Sequence, residues 1–439
     1  MHKNIFGTDG IRCRMNSSYL TEENLSNLGQ AIAAWAPSKS RFVFGSDSRS
    51  SCKKIQAILS RELYKKNHSI IDAGIIPTPF LCRMVEEKKE YDFGIMITAS
   101  HNPATDNGIK IVTQTQKISY FDELKISELF WNVSELLDSP FEEKEALNLN
   151  HLEIKLNYLD KIKKHLTYQK FDGFKIVIDC AQGATSFFAP DIFTSFGFEV
   201  VAINNAPDGK NINRDSGALY PEKLIQAVLE SEADYGCAFD GDGDRILIVT
   251  SQGIILNGDD LLAIFAQHPR YAEESFFVGT TMSNQAVEQF FKNKNRAFIR
   301  TEVGDKYIAA ELTQKKSLLG AEPSGHIIIK DHSFCSDGIF AALLFFDTLL
   351  ACPDLPVPLF KAYPTAIKNI SVIEKKDLKS SELAKLIETY EKKITPGRLI
   401  VRYSGTEPLL RVSIEHAKKE FAEEMLVNLV DELKTYLNL

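Results

Sequence analysis

Three times along this chain, a short apolar run leads into a polar loop and then into an amphipathic helical stretch. Phe42-Val43-Phe44-Gly45 precedes a helix around Ser51 to Lys65, and Lys175 to Asp179 precedes one around Ala189 to Phe196. Phe276 to Gly279 precedes a third, around Asn284 to Lys292. Apolar runs alternating with amphipathic helices imply βαβ units and parallel or mixed sheets, with ligands taken at the polar strand ends. A chain of 439 residues exceeds what one core supports. We therefore expect three similar α/β domains, over residues 1–150, 151–250 and 251–355. The charged helix from Leu152 to Leu166 should connect the first two. Cys352-Pro353-Asp354-Leu355-Pro356-Val357-Pro358 reads as a stiff proline linker. Beyond it, strands near Ile367 to Val372, Gly397 to Arg402 and Leu410 to Ile414, with helices at Ser380 to Lys392 and Glu420 to Tyr436, form a smaller α+β unit over 365–439.

Composition removes several classes of function. With 44% hydrophobic and 25% charged residues the chain is globular rather than disordered or fibrous. A net charge of −8 argues against nucleic acid, which needs a basic face. The opening residues show no signal peptide, and the most apolar helix, Ile339 to Leu350, is too short to span a bilayer and carries Asp347, so no membrane partner is expected. Seven cysteines without a CxxC pair favour reduced thiols in a cytoplasmic protein over a disulfide framework, with Cys180 and Cys237 as packing residues.

Four segments carry chemistry. Thr98-Ala99-Ser100-His101-Asn102-Pro103 follows an apolar run ending at Thr98, and Asn102-Pro103 and Asn107-Gly108 should turn the chain before a strand that Lys110 begins. Ser100 is thus offered on a loop at a strand end, although an ordinary capped turn offers the same. Asp240-Gly241-Asp242-Gly243-Asp244-Arg245 gathers three carboxylates separated only by glycines, the donor set of a hard cation such as Mg²⁺. A calcium hand loop begins the same way, but its sixth and twelfth positions here are Arg245 and Ser251 instead of Gly and Glu. Gly320-Ala321-Glu322-Pro323-Ser324-Gly325-His326 offers an acceptor, a hydroxyl and an imidazole, suited to a polyhydroxylated ligand. In Arg402-Tyr403-Ser404-Gly405-Thr406-Glu407-Pro408, with Arg411 beyond, guanidiniums bracket a turn that can hold a phosphate. Together the four describe phosphoryl transfer on a phosphosugar.

These segments, with FGTDGIR at 6–12, resemble the α-D-phosphohexomutase family nearly end to end. Asp179 to Thr185, Gly209 to Asn213, Gly279 to Asn284 and Val303 to Lys306 are similar to its amino-sugar branch. The resemblance implies four domains, three α/β and one smaller α+β, around a central cleft; the layout, with one motif per domain, leaves that cleft either rigid or closed by the last domain on its proline linker. The resemblance also implies that Ser100 carries a phosphoryl group, with Mg²⁺ held by Asp240, Asp242, Asp244 and a phosphoserine oxygen. Arg402, Ser404, Gly405, Thr406 and Arg411 would bind the substrate's own phosphate. A sugar 1,6-bisphosphate would be intermediate and primer. Lys110 and His101 become candidate acid/base groups, and Arg12 and Arg245 stabilisers of phosphoryl oxygens. Glu322 and Ser324 would read sugar hydroxyls, while His326 orients the loop or touches the ligand. The implied reaction interconverts glucosamine 6-phosphate and glucosamine 1-phosphate, in a monomer or homodimer.

Three positions depart from the family's pattern: Cys13 replaces a glycine beside Arg12, Pro323 occupies the middle of the sugar loop, and Glu302 replaces a lysine. The last removes a positive charge that Lys306 or Arg300 could supply. These changes bear on substrate choice, so a phosphomannomutase/phosphoglucomutase is the rival. A catalytically silent sugar-phosphate-binding relative and a phosphosugar phosphatase are the others.

Overall fold

The structure, a computed structural model, describes residues 3–87, 90–132, 146–372, 374–403 and 409–437. They form two compact units, one of Met1–Met282 with Ile299–Leu355 and one of Ser283–Phe298 with Pro356–Leu439.

The first unit holds three sheets. The first runs in the order Ile11–Arg14, Asp106–Thr113, Phe93–Ile97, Arg41–Ser46, Ser69–Ile75, Leu147–Asn148, with antiparallel pairing up to Phe93–Ile97 and parallel pairing beyond. The second runs Ile255–Leu256, Ile246–Thr250, Tyr235–Phe239, Lys175–Asp179, Glu199–Ile203, again antiparallel then parallel. The third pairs Phe276–Thr280 in parallel with Leu319–Ala321, which pairs antiparallel with Ile327–Ile329. Mixed sheets are the expected outcome, since βαβ crossovers give the parallel pairs and short connections the antiparallel ones. Phe93–Ile97 is buried along its whole length, as a central strand covered by helices on both faces must be.

Two local expectations change. The strand after the serine loop begins at Asp106, so Lys110 lies mid-strand, opposite Met96. Asn107-Gly108 therefore sits inside a strand and not in a turn. Gly108 is needed there for close approach, because a Cβ would collide with the carbonyl oxygens of Ile11 and Thr98. Cys13 leaves the backbone beside Arg12 in regular antiparallel register with Asp106–Thr113.

Helix Gly338–Ala351 is buried from Gly338 through Thr348, and Asp337 caps it by accepting the Phe340 N–H. Its Asp347 is buried and satisfied by the Thr167 and Tyr168 N–H groups and by His268. Among the described residues no helix is long and apolar enough to cross a membrane.

The thiol expectation fails at one pair. Cys82, in helix Thr78–Glu87, and Cys335 form a disulfide across 253 residues of sequence, their Cα atoms 6.4 Å apart. Only packing between the first and third sheets' domains brings them together, which no local spacing encodes. Cys180 and Cys237 are buried and free, as packing residues should be.

Asp260 gives the first unit a pH signature. In helix Gly258–Phe265 its Oδ2 accepts the Asn257 N–H while Asn257 Oδ1 accepts the Asp260 N–H, closing a capping box. Burial raises its pKa from the ordinary 3.8 to about 6, against the lowering effect of the Asn257 N–H and its own N–H on the carboxylate. The folded chain thus binds this proton more tightly than the unfolded one, and its contribution is lost as pH rises from about 4 through about 6. Asp260→Asn should gain roughly 2 kcal/mol relative to wild type between about pH 4 and pH 8. Urea denaturation at the two pH values measures this, and a pH-independent difference refutes it.

The second unit contains an antiparallel sheet in the order Thr365–Ser371, Leu409–Glu415, Arg398–Tyr403. Helices Ser381–Ile394 and Lys419–Leu437 supply its α+β character, and helix Gln285–Asn293 belongs to the same unit. Ile370, Leu410, Val412, Ile414, Leu429 and Leu433 are at its core.

Candidate active site

Ser100 follows strand Phe93–Ile97 in a left-handed conformation, with φ 54°. That backbone costs about 1–3 kcal/mol for a residue with a Cβ and persists only where its surroundings hold it. Thr98 Oγ1 accepts the Ser100 N–H at 2.8 Å and donates to Asp47 Oδ2 at 2.6 Å. Ser100 itself is fully buried; its Oγ donates to Asp240 Oδ2 at 2.6 Å, with His101 Nδ1 at 3.3 Å.

The aspartates follow strand Tyr235–Phe239. Oxygens of Asp240, Asp242 and Asp244 all lie within 4.8 Å of one another, and all three residues are buried. Gly241 lets this loop meet the serine loop, since a Cβ there would stand 2.6 Å from the Ser100 carbonyl oxygen. Thr78, the first residue of helix Thr78–Glu87, fixes Asp242 twice. Its N–H donates to the Asp242 carbonyl at 2.8 Å and its Oγ1 to Oδ2 at 2.5 Å.

Charge decides what these groups can do. Burial first, then Asp242 and Asp244, push the Asp240 carboxyl up to about 7, although Arg245 and the Ser100 hydrogen bond pull it down. Lys110 Nζ lies 2.8 Å from Asp242, 2.7 Å from Asp244 and 3.0 Å from Asp9. Burial opposes its charge, but those three carboxylates outweigh it and hold Lys110 well above the ordinary lysine range. Asp9 is buried too, yet Lys110, Lys117 and Arg12 keep it well below the usual carboxylate range. It pairs with Arg12 and Lys117, and Lys117 also pairs with Asp305. His326 bridges two loops, donating from Nε2 to Asp244 at 2.8 Å and from Nδ1 to Glu322 at 3.2 Å. Burial disfavours its charge, but Asp244 raises it to about 9, so it stands as imidazolium. His101 is the opposite case: burial, then Arg245 and Arg12, push it down to about 4, so it is neutral at neutral pH.

The donor set fits a hard divalent cation. Asp242 Oδ1 is buried with no hydrogen-bond partner, beside two further carboxylates, a cost that an oxygen-liganded cation removes. Asp9, Asp244 and His326 form a second close trio, but Lys110, Lys117 and Arg12 already neutralise Asp9.

Of the groups singled out in the sequence, Ser100, His101, Lys110, Arg12, Arg245, the three aspartates, Glu322 and His326 converge in the first unit. Glu322 is buried, with Oε1 accepting the Gly304 N–H at 3.0 Å, and Ser324 is exposed on the same turn. Lys306 is paired with Glu123 at 3.8 Å. In the second unit Arg402 and Arg411 lie directly opposite each other on paired strands, while Ser404, Gly405 and Thr406 lie outside the described residues. Sequence reasoning missed Asp9, Thr78, Lys117 and Asp305. Asp9 had a signal, three residues before Arg12 in a Gly-flanked turn; Thr78 and Lys117 had none.

Four successive segments match the domains of one family, phosphoglucomutase/phosphomannomutase: alpha/beta/alpha domain I over 3–136, domain II over 156–253, domain III over 257–354 and the C-terminal domain over 367–432. The chain belongs to the α-D-phosphohexomutases. This phosphohexomutase is 34% identical over 438 residues to the phosphoglucosamine mutase of Carboxydothermus hydrogenoformans, covering 97% of this chain and 98% of that one. It is 36% identical over 450 residues to the phosphoglucosamine mutase of Caldicellulosiruptor saccharolyticus, covering 99% of each. Its fold matches a crystal structure of a phosphoglucomutase/phosphomannomutase family protein from Burkholderia thailandensis with a TM-score of 0.77 at 21% identity, covering 99% and 98% of the two chains.

Proposed function

We propose that this phosphohexomutase interconverts glucosamine 6-phosphate and glucosamine 1-phosphate, with Ser100 as the phosphoryl carrier. One observation carries the reading: the Ser100 hydroxyl, buried and in a left-handed turn, lies 2.6 Å from the first of three clustered carboxylates. A carrier needs a fixed oxygen and a means of neutralising phosphoryl charge, and both are supplied there. The amino-sugar assignment rests on the full-length relatives named phosphoglucosamine mutase.

Asp240, Asp242 and Asp244 would hold Mg²⁺, together with an oxygen of phosphorylated Ser100. Bound there, the cation offsets charge on the transferring phosphoryl group. Arg12 and Arg245 take the remaining phosphoryl oxygens. A sugar hydroxyl attacks phosphorus, the bond from phosphorus to Ser100 Oγ breaks, and a sugar 1,6-bisphosphate forms. After the sugar turns end for end, its other phosphoryl group returns to Ser100. Neutral His101 takes the proton that the attacking sugar hydroxyl loses and Lys110, held as ammonium, gives one to the departing Ser100 Oγ, and return of the phosphoryl group reverses both transfers. Glu322 and Ser324 meet the sugar hydroxyls. His326, engaged with both Asp244 and Glu322, orients the sugar loop against the aspartate loop.

The phosphate that is not transferred is assigned to Arg402 and Arg411, with Ser404, Gly405 and Thr406. Arg402 and Arg411 stand directly opposite each other on paired strands, and guanidiniums match phosphate oxygens as bidentate forks.

Competition between glucosamine 1-phosphate, glucose 1-phosphate and mannose 1-phosphate, with Mg²⁺ and a bisphosphate primer, tests the substrate. The amino sugar should win by roughly 10²-fold in kcat/KM, the scale set by a misplaced polar group. Preference for mannose 1-phosphate, which Pro323 and Glu302 would then explain, overturns the assignment.

A further inference from the structure

Arg49 lies outside every motif discussed so far, in the loop after strand Arg41–Ser46. Its side chain is fully buried, as is that of its ion-pair partner Asp47. A guanidinium has five N–H donors, and each is used. Nε donates to Asp47 Oδ2 at 2.9 Å. Nη1 donates to the carbonyls of Pro103 and of Asp106, the latter at 2.9 Å. Nη2 donates to the carbonyls of Ser100 at 3.1 Å and Asn102 at 2.7 Å.

A second clamp arrives from elsewhere in the chain. Asn213, itself left-handed at φ 56°, is anchored by its N–H to the Ala181 carbonyl at 2.8 Å. Its Nδ2 donates to the same two carbonyls, Ser100 at 2.8 Å and Asn102 at 3.0 Å. The two clamps are themselves tied, since Ser50 N–H donates to the Gly209 carbonyl at 3.0 Å and Ser48 Oγ to the Gln182 carbonyl at 2.6 Å.

We propose that Arg49 and Asn213 are positioning residues for phosphoryl transfer, fixing the Ser100 loop by its carbonyls so that Oγ is aimed at the aspartates. This rests on Ser100 being the carrier. A left-handed serine has its carbonyl turned away from the usual direction, and here two buried cationic or amide donors receive it. Relaxing to the ordinary right-handed backbone would remove the Ser100 carbonyl from both donors and swing Oγ from Asp240. Thr98 and Asp47 hold the N–H side of the same residue, so the carrier is gripped at both ends of its peptide units. Lysine cannot replace Arg49, because its three donors cannot serve four carbonyls and a carboxylate.

The test compares full-length wild type, Arg49→Lys and Asn213→Ala with Mg²⁺. Phosphoryl transfer from a sugar 1,6-bisphosphate to Ser100 is followed by rapid quench and peptide mass, and kcat is normalised to the phosphorylatable fraction. Arg49→Lys should lose about 10²-fold in kcat per phosphorylatable site, and Asn213→Ala about tenfold, with KM within about threefold, as expected for a misaimed reacting atom. Transfer of the phosphoryl group from Ser100 Oγ to water should rise relative to its transfer to sugar. A merely structural role would lower the folded fraction and leave the normalised kcat and this partition where they are. Normalised kcat within about threefold of wild type in Asn213→Ala overturns the proposal, whether or not Arg49→Lys folds. A wild type that takes no phosphoryl group on Ser100 overturns the carrier assignment as well, a result no variant can imitate.

Discussion

Ser100→Ala will abolish exchange between the two sugar monophosphates while leaving the protein folded. Loss of a covalent carrier that acts as a unit with its neighbours costs roughly 10⁵-fold or more, since no second group can accept the phosphoryl. The fold should survive because the left-handed backbone is held by carbonyl and N–H contacts that alanine keeps. What the variant loses is the hydroxyl and its 2.6 Å hydrogen bond to Asp240. Intact mass of wild type should show one phosphoryl group mapping to the Ser100 peptide, and the variant should show none. Turnover near wild type in Ser100→Ala would move the carrier elsewhere.

Removal of divalent cations will have a comparable effect and a thermal signature of its own. Chelation should stop exchange, and Mg²⁺ should restore it. The same titration should raise the melting temperature, because an ion that binds only the folded chain stabilises it by about 2.7 kcal/mol at a hundredfold excess over Kd. Three buried carboxylates, with Asp242 Oδ1 unsatisfied and the Asp240 carboxyl raised to about 7, are the reason to expect this gain. Asp242→Asn keeps an oxygen for Thr78 and Lys110 but loses a charge, so its melting temperature should no longer respond to Mg²⁺. An equal response in variant and wild type would remove the aspartates from the cation site.

Much of the fold was legible because local rules agree with it. Lys175–Asp179 begins and ends where its apolar run does, and helix Gly338–Ala351 matches its apolar text to within a residue or two. Asn107-Gly108 misled for a physical reason: the dipeptide that usually turns a chain is here required by two carbonyls pressing on a strand. The chemical groups of the site were legible because they cluster in short polar segments. Their supports were not. Arg49, Thr78, Asn213 and Lys117 each act on a segment far off in sequence; Asn213 ends the family-like run Gly209 to Asn213, which gives it no role, and the other three carry no local pattern that distinguishes them from solvated loop residues. Likewise the Cys82–Cys335 pairing depends on packing between separate domains.

That disulfide changes how the covalent chain should be pictured. Residues 82 to 335 form a closed circle with a tail at each end, and the circle contains Ser100, all three aspartates, Glu322 and His326. Both closing points adjoin grips on the aspartate loop. Thr78, one helical turn before Cys82, holds Asp242, and Ser336, next to Cys335, donates to the Asp244 carbonyl at 2.6 Å. A circle of this size withholds about 5 kcal/mol of loop entropy from the unfolded chain by the loop-closure relation. The segment whose ends are tied is thus the one that carries the chemistry.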